Sequence, residues 1–125
     1  MSFKSILVID DDVHVRRTLG LLLRGAGYQV KTAGRTWDAI RFLESGSFDL
    51  VLLDIKMSEN QGLSFLPKLR ILCPELPVVI LTAYPAIESE NEAERLQAQD
   101  YLVKPVDPDL LLNHVHEVLS RHSRK

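Results

Sequence analysis

Five short runs at residues 6–9, 29–32, 50–53, 78–81 and 101–103 are rich in β-branched and large apolar residues, and stretches with helical spacing lie between and after them. That alternation constrains the fold more than any other feature. Neighbouring parallel strands need a long crossover, usually a helix, so regular β/α alternation reads as a parallel sheet covered by helices. Four of the runs are almost continuously apolar, as expected of strands buried on both faces. The run at 29–32, Gln-Val-Lys-Thr, alternates instead and reads as a sheet edge. With 125 residues the chain is one domain long enough to bury its own core.

The helical stretches carry their own signals. In residues 13–24, Val15, Leu19, Leu22 and Leu23 recur at helical steps, and Gly25 and Gly27 follow as a stop. A second helix is predicted over 37–43 with Thr36 as its N-cap. A third is predicted over 63–73, with Leu66, Leu69 and Ile71 apolar and Pro74 ending it. A fourth falls within 86–98, where Glu88, Glu90, Glu92 and Glu94 leave a thin apolar stripe. The fifth begins at Asp107 as cap and Pro108 in the first turn, and buries Leu111, Leu112, Val115, Val118 and Leu119. The basic tail at 120–125 reads as a helix end or the start of a linker. Trp37 reads as a partly buried packing residue, Cys73 as a small buried hydrophobe, and the four histidines as no metal pair.

Composition removes several classes of function. Hydrophobic residues make up 46% and the formal net charge is −2, which gives neither disorder nor the basic footprint of a nucleic-acid binder. One cysteine excludes an intrachain disulfide and fits a reducing, cytoplasmic setting. No apolar run approaches the ~18–20 residues of a membrane span, and the N-terminus lacks the pattern of a signal peptide.

In an open parallel sheet, ligands bind outside the carboxyl ends of the strands. The first run is followed there by Asp10, Asp11 and Asp12, the third by Asp54, the fourth by Thr82, and the fifth by Lys104 and Pro105. Asp12 directly precedes a helix and reads as its N-cap. The other acids would repel at about 4 kcal/mol per pair at ~4 Å and an effective dielectric of ~20, so a cation must offset them. Lys104 is one candidate. A hard divalent ion such as Mg²⁺ is the other. Acids, a cation, a hydroxyl and a lysine suit phosphoryl transfer to a carboxylate.

The segments 6–12 (Ile-Leu-Val-Ile-Asp-Asp-Asp), 54–57 (Asp-Ile-Lys-Met) with Gly62, 81–83 (Leu-Thr-Ala) and 100–105 (Asp-Tyr-Leu-Val-Lys-Pro) resemble the receiver domain of bacterial two-component response regulators. The resemblance covers nearly the whole chain and implies a flavodoxin-like α/β fold with one five-stranded parallel sheet in the order 2-1-3-4-5, the receiver running over residues 1–119. It implies Asp54 as phospho-acceptor. Asp10, Asp11, Asp54 and the Lys56 carbonyl would hold Mg²⁺ or Mn²⁺, Asp11 directly and Asp10 through water. Thr82 would follow the phosphoryl group, Tyr101 would be the aromatic switch, and Lys104 would pair with acceptor and phosphoryl oxygens. The Lys104–Pro105 bond would be cis. Lys56 and Tyr84 would flank the water that hydrolyses the phosphoryl group, without offering a carboxylate or amide to orient it. The implied donor is a sensor histidine kinase or histidine phosphotransfer protein, and homodimerisation through the fourth and fifth helices is a possible partner mode.

Ser58 and Gln61 depart from the family pattern without touching a reacting group, and the acidic 86–98 stretch is a larger departure. Three other readings stand beside a phosphorylation switch. A phosphorylation-independent interaction module is disfavoured by the complete Asp10, Asp11, Asp54, Thr82, Lys104 set. A phosphatase with an aspartyl-phosphate intermediate would want a second acid where Lys56 stands. A flavin site would meet three aspartates where it needs a phosphate loop.

Overall fold

The computed structural model describes residues 3–54, 62–82 and 100–122. In chain order the elements are β1 (Ser5–Ile9), α1 (Val13–Gly25), β2 (Gln29–Ala33), α2 (Thr36–Ser45), β3 (Leu50–Asp54), α3 (Gly62–Leu72), β4 (Val78–Thr82), β5 (Asp100–Val103) and α4 (Pro108–His122). The last is the fifth of the helical stretches expected from sequence. The fourth, within 86–98, lies outside the described residues.

All four strand pairings are parallel, and the order is β2-β1-β3-β4-β5. The alternating strand 29–32 does lie at an edge. Because side chains on a strand alternate between faces, β1 and β3 divide their apolar residues between two cores. Leu7, Ile9, Val51, Leu53 and Ile80 pack with Ala39 of α2 and Phe65, Leu66 and Leu69 of α3. Ile6, Val8, Leu50, Leu52, Val79 and Leu81 pack with Leu19 and Leu23 of α1 and with Leu111, Val115, Val118 and Leu119 of α4. Strands covered on both faces explain the near-continuous apolar runs.

Local chemistry sets the helix ends. Asp12 caps α1 by accepting from the His14 amide at 2.8 Å, as expected. Beyond Gly25 the chain turns at Gly27, whose φ of 100° suits a residue without a β-carbon. Asp107 caps α4 by accepting from the Leu110 amide at 3.1 Å. α2 departs from expectation. Its N-cap is Arg35, extended at φ −141° and ψ 153°, and no side chain caps it. The Arg35 carbonyl accepts the Ala39 amide at 3.1 Å, so Thr36 falls inside the first turn rather than before it.

Two apolar side chains expected in contact with the core face solvent instead. Ile71 is 80% exposed and Trp37 66% exposed. Each sits two residues from a fully buried position, Leu69 and Ala39 respectively, and two steps along a helix carry a side chain to another face. Cys73 is partly buried against the α2–α3 core. His14 and His116 are exposed. Among the described residues no helix is long and apolar enough to cross a membrane.

The contrast within α3 is directly measurable. Leu69→Ala removes a fully buried side chain and is expected to cost about 2–4 kcal/mol in chemical denaturation. Ile71→Ala, one half-turn away, is expected to stay within about 0.5 kcal/mol of the parent. Equal costs would contradict the packing described.

Candidate functional site

The site is built at the carboxyl ends of β1, β3 and β5. Asp10 follows the last residue of β1, and Asp54 is the last residue of β3. Since β1 and β3 are neighbours, the two carboxylates emerge side by side. Both lie inside the protein, Asp10 at 0% and Asp54 at 2% exposure, and among the described residues they are the buried charged side chains in an otherwise apolar core. Asp11, nearer the surface, completes the set: one carboxylate oxygen from each of the three lies within 4.8 Å of the others.

A buried carboxylate pair without a cation would be strongly unfavourable. Lys104, one residue beyond β5, supplies the cation. Its Nζ lies 2.6 Å from Asp10 Oδ2 and 3.3 Å from Asp54 Oδ2. Burial pulls the Lys104 pKa down, but the hydrogen bond and charge of Asp10, with the charge of Asp54, outweigh it and leave the ammonium raised above its ordinary 10.5.

Every polar atom of Asp10 has a partner. Its amide donates to the Ala33 carbonyl of β2 at 3.0 Å. Its Oδ1 accepts from the Asp12 amide at 3.0 Å, and its Oδ2 from Lys104. Its carbonyl accepts from Arg16 Nη1 at 2.8 Å. Arg16 is the residue that reading by motif missed. Its position in the first turn of α1 was legible, but nothing in the sequence showed that its side chain turns back to the end of β1.

The structure therefore brings together Asp10, Asp11, Asp54 and Lys104 as expected, and leaves Asp12 outside the cluster as a helix cap. The Lys104–Pro105 bond is cis, as expected. Thr82 ends β4 opposite Val103, and Tyr101 pairs with Ile80 in the ladder; only their backbone belongs to the described set. Lys56 and Tyr84 lie outside the described residues. Three hard oxygen donors at this spacing fit one divalent ion, whose remaining positions water can fill.

An α/β sheet with acids from β1 and β3 and a lysine after β5 at one edge defines a class of signalling domain, and the sequence carries its signature. The chain belongs to the response regulator receiver domain family, which it matches over residues 6–116. It is 41% identical over 120 residues to the transcriptional regulatory protein ZraR of Salmonella typhimurium, covering 96% of this chain and 27% of that protein. It thus spans about a quarter of the length of the curated relatives it matches. The fold superposes on a CheY-like receiver domain protein from Methanospirillum hungatei with a TM-score of 0.93 at 30% identity, covering 98% of both chains. It also superposes on a Burkholderia pseudomallei response regulator carrying a phosphorylated aspartic acid, a calcium ion and citrate, with a TM-score of 0.85 at 29% identity, covering 94% of this chain and 69% of that one.

Removing the ammonium tests its part in the fold. Lys104→Met is expected to lower metal-free stability by about 1–3 kcal/mol, because two buried carboxylates lose their partner. Mg²⁺ is expected to restore part of that loss. The pH dependence has a definite sign. A lysine raised in the folded state contributes fully below its unfolded value of 10.5, and that contribution disappears as pH rises through the higher folded value. Denaturation from pH 7 to 12 should show the parent losing more stability above pH 10.5 than Lys104→Met; parallel curves would contradict the ion pair.

Proposed function

We propose that this domain is a phosphorylation-dependent switch, accepting a phosphoryl group on Asp54 from the phosphohistidine of a sensor histidine kinase or histidine phosphotransfer protein. The observation that carries the reading is Lys104 bridging Asp10 and Asp54 inside a three-carboxylate cluster. Family membership and the phosphorylated aspartic acid of the Burkholderia neighbour support it.

Asp10, Asp11 and Asp54, with the Lys56 carbonyl, would hold Mg²⁺ or Mn²⁺. Such an ion would neutralise charge on the transferring oxygens. An Asp54 carboxylate oxygen attacks phosphorus as the phosphorus–nitrogen bond of the phosphohistidine breaks, and the bonding pair leaves on the imidazole. Lys104 is placed to accompany the charge that arrives on Asp54. The phosphoryl group brings about −1.5 to −2 charge and three acceptor oxygens. Thr82, at the end of β4, would hydrogen-bond one of them, and Tyr101 on β5 would reorient in response.

The domain modifies itself and hydrolyses the product slowly rather than turning over a substrate. Lys56 and Tyr84 would restrict the attacking water. We assign residues 1–119 to the receiver, its setting to the cytoplasm, and a possible homodimer contact to the 86–98 segment with α4. Similarity to ZraR supports control of transcription as the output of a longer regulator.

Incubation of the chain with a small phosphodonor and Mg²⁺ should add one phosphoryl mass. Asp54→Ala and a chelator should each abolish it. Labelling that survives either change would refute the assignment, and a parent that takes up no phosphoryl group would instead be a phosphorylation-independent interaction module. Once labelled, the Lys56→Asn, Tyr84→Glu double variant should lose its phosphoryl group several-fold faster than the parent; an unchanged rate would remove these two residues from the account.

A further inference from the structure

Arg16 has no part in the chemistry above, yet its guanidinium reaches from α1 to the Asp10 carbonyl at 2.8 Å. That carbonyl belongs to the peptide joining Asp10 to Asp11. The amide of Asp10 is tied to β2 through the Ala33 carbonyl at 3.0 Å. Holding the carbonyl as well fixes the orientation of the following peptide plane, and with it the direction in which Asp11 leaves the backbone. Asp11 is the less buried member of the carboxylate cluster, so backbone placement matters more for it than for Asp10 and Asp54, which the core encloses.

The guanidinium occupies space that a side chain at position 34 would need. A β-carbon on Gly34 would stand 2.7 Å from Arg16 Nη1 and 3.1 Å from its Cζ. Real β-carbons essentially never come within 3.0 Å of another atom, so a residue larger than glycine there obliges the guanidinium to shift. No left-handed backbone requires glycine at this position. What a β-carbon there would meet is the Arg16 guanidinium.

We propose that Arg16, seated over Gly34, is a positioning residue for the acid cluster: it clamps the Asp10–Asp11 peptide so that Asp11 is presented to a divalent ion. The clamp rests on the metal reading given under Proposed function, and two measurements separate the failure of one from the failure of the other. Partners that orient metal ligands commonly govern affinity although they never touch the ion.

The first measurement is calorimetric titration of the full chain with Mg²⁺. Arg16→Met and Gly34→Ala should each weaken binding by about tenfold. The double variant should be no weaker than Arg16→Met alone, since both changes remove the same contact. Arg16→Lys should recover part of the affinity. Mg²⁺ affinities within twofold of the parent for both single variants would overturn the proposal, as would effects that multiply in the double variant. If Arg16→Met does not fold, Gly34→Ala, which removes no side chain, decides on its own: weakened binding upholds the clamp and parental binding overturns it.

The second measurement uses no metal. The Asp12 amide, bonded to Asp10 Oδ1 at 3.0 Å, should exchange with solvent several-fold faster in Arg16→Met and in Gly34→Ala than in the parent, while amides in the middle of β3 keep parental rates. If the parent itself takes up no Mg²⁺, the metal reading fails and exchange decides the clamp. Faster Asp12 exchange then upholds it and parental exchange overturns it.

Discussion

The ion pair between Lys104 and the two buried carboxylates is the interaction on which the rest of the arrangement depends. Asp10 and Asp54 end adjacent strands in the middle of the sheet, where both faces are covered and water is excluded. Side by side they would repel by several kcal/mol. The ammonium lies between them at 2.6 and 3.3 Å and makes their burial tolerable. It must come from outside β1 and β3. The sheet order brings it from the loop after β5, two strands from β3, at the same carboxyl edge.

The same pair underlies the function proposed. Under that function, an added cation, and then a phosphoryl group on Asp54, would sharply change the charge balance among these buried carboxylates and Lys104. A buried ion pair is seldom a gain in stability over packed hydrophobes. Among the described residues, Asp10 and Asp54 are the buried charged side chains in otherwise apolar cores, and the function proposed supplies a reason for their burial there. The cores, divided between the α2–α3 and α1–α4 faces, enclose the strands that carry Asp10 and Asp54.

Much of this was legible in the sequence because it follows from period and placement. Continuous apolar runs, an alternating edge strand, and caps at Asp12 and Asp107 depend on a few neighbouring residues, and all are found in the structure. The cluster of Asp10, Asp11, Asp54 and Lys104 was legible because strand ends in a parallel sheet share one edge. Finer features were not. Whether Thr36 or Arg35 precedes α2 turns on one dihedral pair, and the exposure of Ile71 and Trp37 turns on helix phase, which a short stretch leaves open. The Arg16 contact with Asp10 was hidden for a different reason. It joins α1 to the end of β1 across space opened by Gly34 at the end of β2, and no local pattern encodes a contact among three elements.

The central claim is that the carboxylate cluster receives a divalent ion and that Asp54 bears the phosphoryl group. A crystal structure of the chain with Mg²⁺ and fluoroberyllate, a stable mimic of a phosphoryl group, tests it most directly. The account predicts the ion among Asp10, Asp11 and Asp54, beryllium bonded to an Asp54 carboxylate oxygen, and Lys104 Nζ within hydrogen-bond distance of the adduct. An adduct on another residue, or an ion bound away from these three acids, would contradict it.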